Sequence, residues 1–100
     1  MATVDITEYN NVAADGLGNR VAAGVEPARF LQQLSVSGAS AQSAAMNETT
    51  KFVRVHTDST IRIAFGADPI ASAASQRMVG NSTEYFGVTP GIKIAIIASV

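Results

Sequence analysis

Residues Lys51 to Phe65, KFVRVHTDSTIRIAF, decide the fold. On both sides of the central turn Thr57-Asp58-Ser59, apolar side chains recur at every second position. Successive side chains of a β-strand point to opposite faces of its sheet, so this alternation predicts two strands, each with one apolar face. The apolar positions are Val53, Val55, Ile61, Ile63 and Phe65. Because Asp and Ser favour tight turns, we predict that the two strands pair as a β-hairpin.

The composition agrees with a β-fold and predicts a lean core. Val and Ile together number 18 against three Leu, and β-branched side chains suit a pleated sheet. Ala accounts for 17 of the apolar residues, so large apolar side chains are few. A small core leaves a thin margin of stability, which self-association increases. We therefore expect a homo-oligomer, a dimer or a trimer, because closed symmetric assemblies are common.

Four further segments show strand-like alternation. For Arg29–Ser37, the second of these segments, a helix over Pro27–Leu34 is the alternative, because Pro suits the first helical turn. The Ser-rich, β-branched end of the segment favours a strand. The predicted strands cover Thr3–Tyr9, Arg29–Ser37, Ser82–Val88 and Ile92–Val100. Short strands separated by Gly, Pro and Asn turns are typical of a β-sandwich or small barrel. We predict an all-β fold, a small jelly-roll-like β-sandwich.

The first part of the chain differs from the rest. Residues 10–28 combine turn-forming Asn, Asp and Gly with small Ala side chains and little large apolar surface. We interpret them as an extended N-terminal arm or long loop, with a pair of short edge strands as the alternative. The predicted organisation is an N-terminal arm or edge segment over residues 1–28 and a β-sandwich domain over residues 29–100.

The composition also argues against several kinds of function. The chain has no Cys, so it lacks a thiolate nucleophile and any Cys-based metal site, and we predict no cofactor. The net charge is −1 with seven scattered basic residues, which predicts no nucleic-acid partner. The N-terminus shows no apolar run, and the run Ile94 to Ala98 is too short to span a membrane. We expect no signal peptide and no membrane partner.

Candidate catalytic and metal-binding residues are isolated. His56 is the single histidine, at a strand end, and its spacing supplies no nucleophile and acid for a triad, so we predict a structural or interface role. The acids Asp58, Asp68 and Glu84 lack the dense spacing of a calcium loop. Gly16-Leu17-Gly18 resembles only the start of a dinucleotide-binding motif. We predict no catalytic and no metal site.

The residues predicted to form contacts are aromatic and basic. Arg54 and Arg62 lie in the two strands of the predicted hairpin, where they share a face with Glu84 as a solvated or interface salt network. Aromatic residues and Arg are enriched at protein interfaces. We predict that four residues contact a partner, namely Phe52, Arg54, Arg62 and Tyr85.

Several segments between about Pro27 and Ala98 form an ordered set of strand and turn patterns. They are FVRVHTD (52–58), IAFGADP (63–69), Arg77-Met78, STEYFGV (82–88) and KIAIIA (93–98), with a Gln/Ser/Ala stretch at 41–45. This set resembles small structural proteins of tailed bacteriophages and contains no catalytic signature. This resemblance implies a virion-associated β-sandwich without catalytic residues.

The resemblance further implies a capsid decoration (cement) protein. Such a protein is expected on the capsid surface after synthesis in the host cytoplasm, bound to the major capsid protein, whose contacts it stabilises. A tail or fibre-associated adhesion module is the main alternative, and a small hydrolase is the enzyme alternative. We expect a protein that is not an enzyme.

Overall fold

The structure of the chain, a computed structural model, describes residues 2–9, 12–14, 20–24 and 30–99. In these residues it contains ten β-strands and no helix, which confirms the predicted all-β class. The strands are β1 (Thr3–Tyr9), β2 (Val12–Ala14), β3 (Arg20–Gly24), β4 (Phe30–Ser35), β5 (Ala41–Gln42), β6 (Phe52–Thr57), β7 (Ile61–Gly66), β8 (Gln76–Met78), β9 (Ser82–Gly87) and β10 (Lys93–Ala98).

Eight of these strands form two antiparallel sheets of four strands each. The first sheet has the order β4-β1-β6-β9 and the second has the order β5-β10-β7-β8. Strands β2 and β3 pair with each other in a separate two-stranded sheet, with Val12 opposite Gly24 and Ala14 opposite Arg20. Phe30–Ser35, in the segment for which a helix was the alternative, form the strand β4.

The predicted hairpin of β6 with β7 is wrong. Strand β6 pairs with β1 and β9, whereas β7 pairs with β10 and β8. The connection at residues 58–60 therefore carries the chain from one sheet to the other. Thr57 shapes its start, because its hydroxyl donates to the Ser59 carbonyl at 2.6 Å and accepts from the Ser59 N–H at 3.2 Å. The alternation identified the buried faces of both strands correctly, but it carries no information on their neighbours.

One hydrophobic cluster takes its side chains from both sheets. Each fully buried Val or Ile contributes about 1.5–3 kcal/mol to stability, so this cluster is the main favourable term in folding. Its buried members are Val4, Ile6, Met46, Val53, Val55, Ile61, Ile63, Met78, Ile94 and Ile96. The two-residue period predicted its four β6 and β7 members, Val53, Val55, Ile61 and Ile63. It also predicted Phe65, which is partly buried and packs against the cluster.

The N-terminal strand is built into the main body. β1 lies between β4 and β6 and pairs with both, so residues 3–9 belong to the first sheet rather than to an arm. The division predicted at residues 28 and 29 stays a prediction. Of residues 10–28, only 12–14 and 20–24 are described, and the remainder of the predicted arm lies outside the described residues.

Candidate interaction face on the first sheet

The side of the first sheet that faces away from the core carries most of the predicted contact residues. Strand register aligns its side chains in rows that cross the sheet. We name this surface the outer face, and define it by Leu31, Gln33 and Ser35 of β4, Thr3, Asp5, Thr7 and Tyr9 of β1, Phe52, Arg54 and His56 of β6, and Thr83, Tyr85 and Gly87 of β9.

Three aromatic rings form a continuous stack at one end of the outer face. The Tyr9 and Phe52 rings are stacked with centroids 5.2 Å apart, and the Phe52 and Tyr85 rings are tilted with centroids 6.2 Å apart. Phe52 is only 8% exposed, whereas Tyr85 is 42% exposed. Phe52 is therefore the buried middle ring, on the strand between those of the two tyrosines, and Tyr85 presents the accessible ring surface. The tilted contact with the buried Phe52 ring restricts the orientation of the Tyr85 ring, which prepares Tyr85 for a contact.

Arg54 lies beside this stack and borders a shallow groove. It is partly buried, and its register neighbours are Thr7 on β1 and Tyr85 on β9. Between described residues no ion pair engages its guanidinium. Arg donors in a fixed planar fork suit carboxylates and amides of a partner. Besides Arg54, the groove is lined by Asp5, Ile6, Thr7, Leu31, Gln32 and Gln33.

The His56 side chain takes part in a row of polar residues on the same face. Its Nδ1 lies 2.8 Å from the Thr83 hydroxyl oxygen, and Asp5 is its register neighbour on β1. Between described residues His56 makes no ion pair with Asp5. His56 therefore connects β6 to β9 through a cross-strand hydrogen bond, and its structural or interface role stays a prediction.

Arg62 lies on the other sheet, apart from Phe52, Arg54 and Tyr85. Its Nε donates to the Ser99 hydroxyl at 3.3 Å and its Nη1 to the Ser75 carbonyl at 3.1 Å. It stands opposite Arg77 of β8 in the second sheet. The expectation that Arg54 and Arg62 share a face is thus wrong, because their strands belong to different sheets. The contact role of Arg62 stays a prediction for a separate surface.

The three acids considered as a calcium site are also separated by the fold. Asp58 accepts the Thr3 N–H at 2.8 Å and joins the start of β1 to the β6–β7 connection. Asp68 accepts the Gln42 amide at 2.8 Å, and Glu84 is an exposed residue of β9. In the described ranges, 2–9, 12–14, 20–24 and 30–99, no group of three or more His, Asp or Glu is placed to hold a metal ion.

Sequence reasoning missed a buried carboxylate at Glu8. It is 2% exposed and accepts hydrogen bonds from the Gln32 amide at 3.0 Å, the Asn47 N–H at 3.0 Å and the Thr50 hydroxyl at 2.7 Å. These bonds tie β1 to β4 and to the segment before β6. The signal was present in the sequence, because the period of two places Glu8 on the same face as Val4 and Ile6. A charged residue on an apolar face needs hydrogen-bond partners.

The described part of the chain contains no helix of the length and apolar character needed to cross a membrane. Comparisons of the chain with protein-family models, with curated proteins and with solved structures found no match.

Proposed function

We propose that this protein is a non-enzymatic structural protein of a tailed-phage virion, a capsid decoration (cement) protein that binds the outer shell and stabilises contacts between major capsid subunits. The observation that carries the proposal is the outer face, where Phe52, Arg54 and Tyr85 come together. The pattern resemblance over about Pro27 to Ala98 supports the virion assignment. Two four-stranded sheets that share one core support a small, jelly-roll-like β-sandwich.

The outer face has the composition of a protein-binding surface. Tyr and Arg are the residue types that most often dominate interface energetics, and they act best when neighbouring side chains hold them in place. Phe52 supports Tyr85, and the strand register holds Arg54 next to it. On the far side of the groove, Leu31 adds an apolar side chain that is 75% exposed. A capsid subunit would bind here through an apolar or aromatic contact flanked by a carboxylate or backbone carbonyls for Arg54.

A decoration protein does not need a tight single contact. Many copies on a repeating shell, or several contacts per oligomer, raise the apparent affinity without new interactions. A face with one exposed aromatic ring and one partly buried arginine is sufficient under these conditions. On this proposal the protein is made in the host cytoplasm and resides on the capsid surface.

The test is binding to capsid shells that lack this protein. We expect the variant Arg54→Ala/Tyr85→Ala to weaken co-sedimentation with shells at least tenfold, because each substitution removes an anchoring contact of about 1–2 kcal/mol. Arg77→Ala removes an exposed arginine of the second sheet and is the matched control, expected to bind as the wild type does. Wild-type binding by the double variant, with an unchanged melting temperature, would overturn the role of the outer face.

The exposed ring of Tyr85 also supports the alternative, a tail or fibre-associated adhesion module. An aromatic ring on an open face can stack against a sugar, and Tyr85 is 42% exposed. The same double variant separates the two functions. If the wild type fails to bind shells but binds a glycan array in a Tyr85-dependent manner, the decoration function is contradicted and the adhesion function supported.

A further inference from the structure

Strand β4 is an unprotected edge of the first sheet. The two four-stranded sheets have four edge strands, β4, β9, β5 and β8. β5 has two residues, β8 has three including Arg77, and β9 carries Glu84 on its core-directed side, opposite Val55. Short length and charge are common devices that prevent an edge from pairing with another chain. β4, with the sequence FLQQLS, has six residues and no charge.

The backbone of β4 presents its free hydrogen-bonding groups at alternate residues. The N–H of Val36 donates to the Ala2 carbonyl at 3.0 Å, so even-numbered positions along this strand direct their backbone groups towards β1. The N–H and C=O groups of Leu31, Gln33 and Ser35 consequently point away from the sheet. In the part of the chain that the structure describes, β4 pairs on one side only, with β1. These groups form a row ready for a further strand.

Exposed apolar side chains accompany this open edge. Leu31 is 75% exposed on the outer face, and Phe30 is 44% exposed on the core-directed side of the same strand. An apolar edge strand with free backbone groups is a typical site of strand addition, in which backbone bonds give affinity and alternate side chains give specificity.

We propose that β4 pairs antiparallel with β4 of a second copy of this chain, so that two first sheets join into one sheet of eight strands. Placing the twofold axis at Gln33 sets Gln33 opposite its own copy and Leu31 opposite Ser35 of the partner subunit. This register uses all three outward-directed residues, with two backbone bonds in each of three pairs, or about six bonds. On the core-directed side it places Phe30 opposite Val36 of the partner subunit, an apolar pair.

Electrostatics favours a second copy at β4 over the other edges. In the joined sheet the two Asp5 carboxylates are separated by three strand spacings, at least about 14 Å, which exceeds the screening length of about 8 Å at physiological salt. Self-pairing of β9 or β8 would instead bring Glu84 or Arg77 close to its own copy, and like charges on facing strands are unfavourable. Among the edge strands of the two main sheets, β4 is the one that has six residues and no charged side chain to repel its own copy.

The interface is small, so the dimer depends on concentration. A six-residue strand spans about 20 Å, and pairing along it buries less than the roughly 1,200 Å² of stable complexes. We expect dissociation in the micromolar range or weaker. This inference concerns self-association and does not depend on the proposed function.

Sedimentation equilibrium of the full chain over a range of concentrations tests the dimer. We expect a monomer–dimer equilibrium for the wild type and at least a tenfold weaker association for Leu31→Lys, because the substitution introduces charge at the joined edge. A mixture of Gln33→Lys and Gln33→Glu variants, whose charges face each other at the proposed axis, should associate more strongly than either variant alone. The matched control is Ile70→Lys, since Ile70 is equally exposed at 74% but lies outside β4; it should dimerise as the wild type does.

A cysteine cross-link tests the register. The chain has no Cys, so Gln33→Cys provides a single thiol at the proposed axis. Facing residues of a hydrogen-bonded antiparallel pair have Cα atoms about 5.5 Å apart, which suits a disulfide. Under mild oxidation we expect rapid dimer formation by Gln33→Cys, and much slower formation by Ile70→Cys. A folded wild type that stays monomeric at millimolar concentration, or equal cross-linking of the two cysteine variants, would overturn the proposal.

Discussion

At the scale of single residues, the most informative side chain is Glu8. Its carboxylate is buried and accepts hydrogen bonds from groups on β4 and on the segment before β6. Burial of a carboxylate is unfavourable unless its oxygens are hydrogen-bonded, and here three donors converge on it. Glu8 thus fixes the position of the Asn47–Thr50 turn relative to β1.

Replacement of Glu8 by Ala should therefore lower stability. The variant leaves the Asn47 N–H and the Thr50 hydroxyl without their acceptor, and Thr50 is fully buried. We expect a loss of about 2–4 kcal/mol in the free energy of unfolding, since each unsatisfied buried group costs about 1–3 kcal/mol. Urea unfolding followed by circular dichroism measures the change. Glu84→Ala removes an exposed carboxylate and is the control; equal stability of the two variants would contradict the role of Glu8.

At the scale of elements, the connection between β6 and β7 is the feature that organises the fold. It passes between sheets instead of closing a hairpin, and a second turn, at residues 79–82, lies against it. The Gly80 N–H donates to the Thr60 hydroxyl at 3.1 Å, and the Ser99 N–H donates to the Thr60 carbonyl at 3.0 Å. The connection is therefore held by contacts from distant parts of the chain.

A methyl group at Gly80 should disturb this contact. A Cβ there would lie 3.1 Å from two backbone atoms of Ser59 and 3.2 Å from the Thr60 nitrogen. Because backbone atoms cannot move aside as a flexible side chain can, we expect Gly80→Ala to lower the free energy of unfolding by about 1–3 kcal/mol. Gly38→Ala, where a Cβ meets nothing within 4 Å, is the matched control for denaturant unfolding. If Gly80→Ala were as stable as Gly38→Ala, the turn would accept a Cβ at residue 80 without strain, and the prediction would be contradicted.

At the scale of the whole molecule, the order of strands in the first sheet determines which N-terminal residues the fold requires. β1 is an interior strand, and both of its neighbours come from later in the chain. Glu8 of β1 stands opposite Phe30 of β4, so the ends of these antiparallel strands are close together. The intervening residues 10–29 include β2 and β3, which pair with each other in a sheet of their own.

This arrangement predicts opposite outcomes for two changes near the N-terminus. Deletion of residues 1–9 should abolish cooperative folding, because it removes an interior strand with Val4 and Ile6 of the core. Replacement of residues 11–28 by a loop of about five Gly and Ser residues should leave the fold intact, since short loops readily connect neighbouring antiparallel strands. Amide-proton NMR spectra with dispersed signals report folding. A folded protein after the first change, or an unfolded one after the second, would contradict the strand order.

Local sequence patterns were enough to predict the β class, the approximate extents of six strands and the apolar faces of β1, β6, β7 and β10. These follow from local rules, because side chains alternate between the faces of a strand with a period of two. Only the tertiary structure established which strands pair with β6 and which pair with β7. It also separated Arg54 from Arg62 and brought three hydrogen-bond donors to Glu8. Each of these features depends on which strands become neighbours. The apolar face formed by Val53 and Val55 is similar to the one formed by Ile61 and Ile63, so either face can be buried beside several different strands. Packing of the complete chain selects among them.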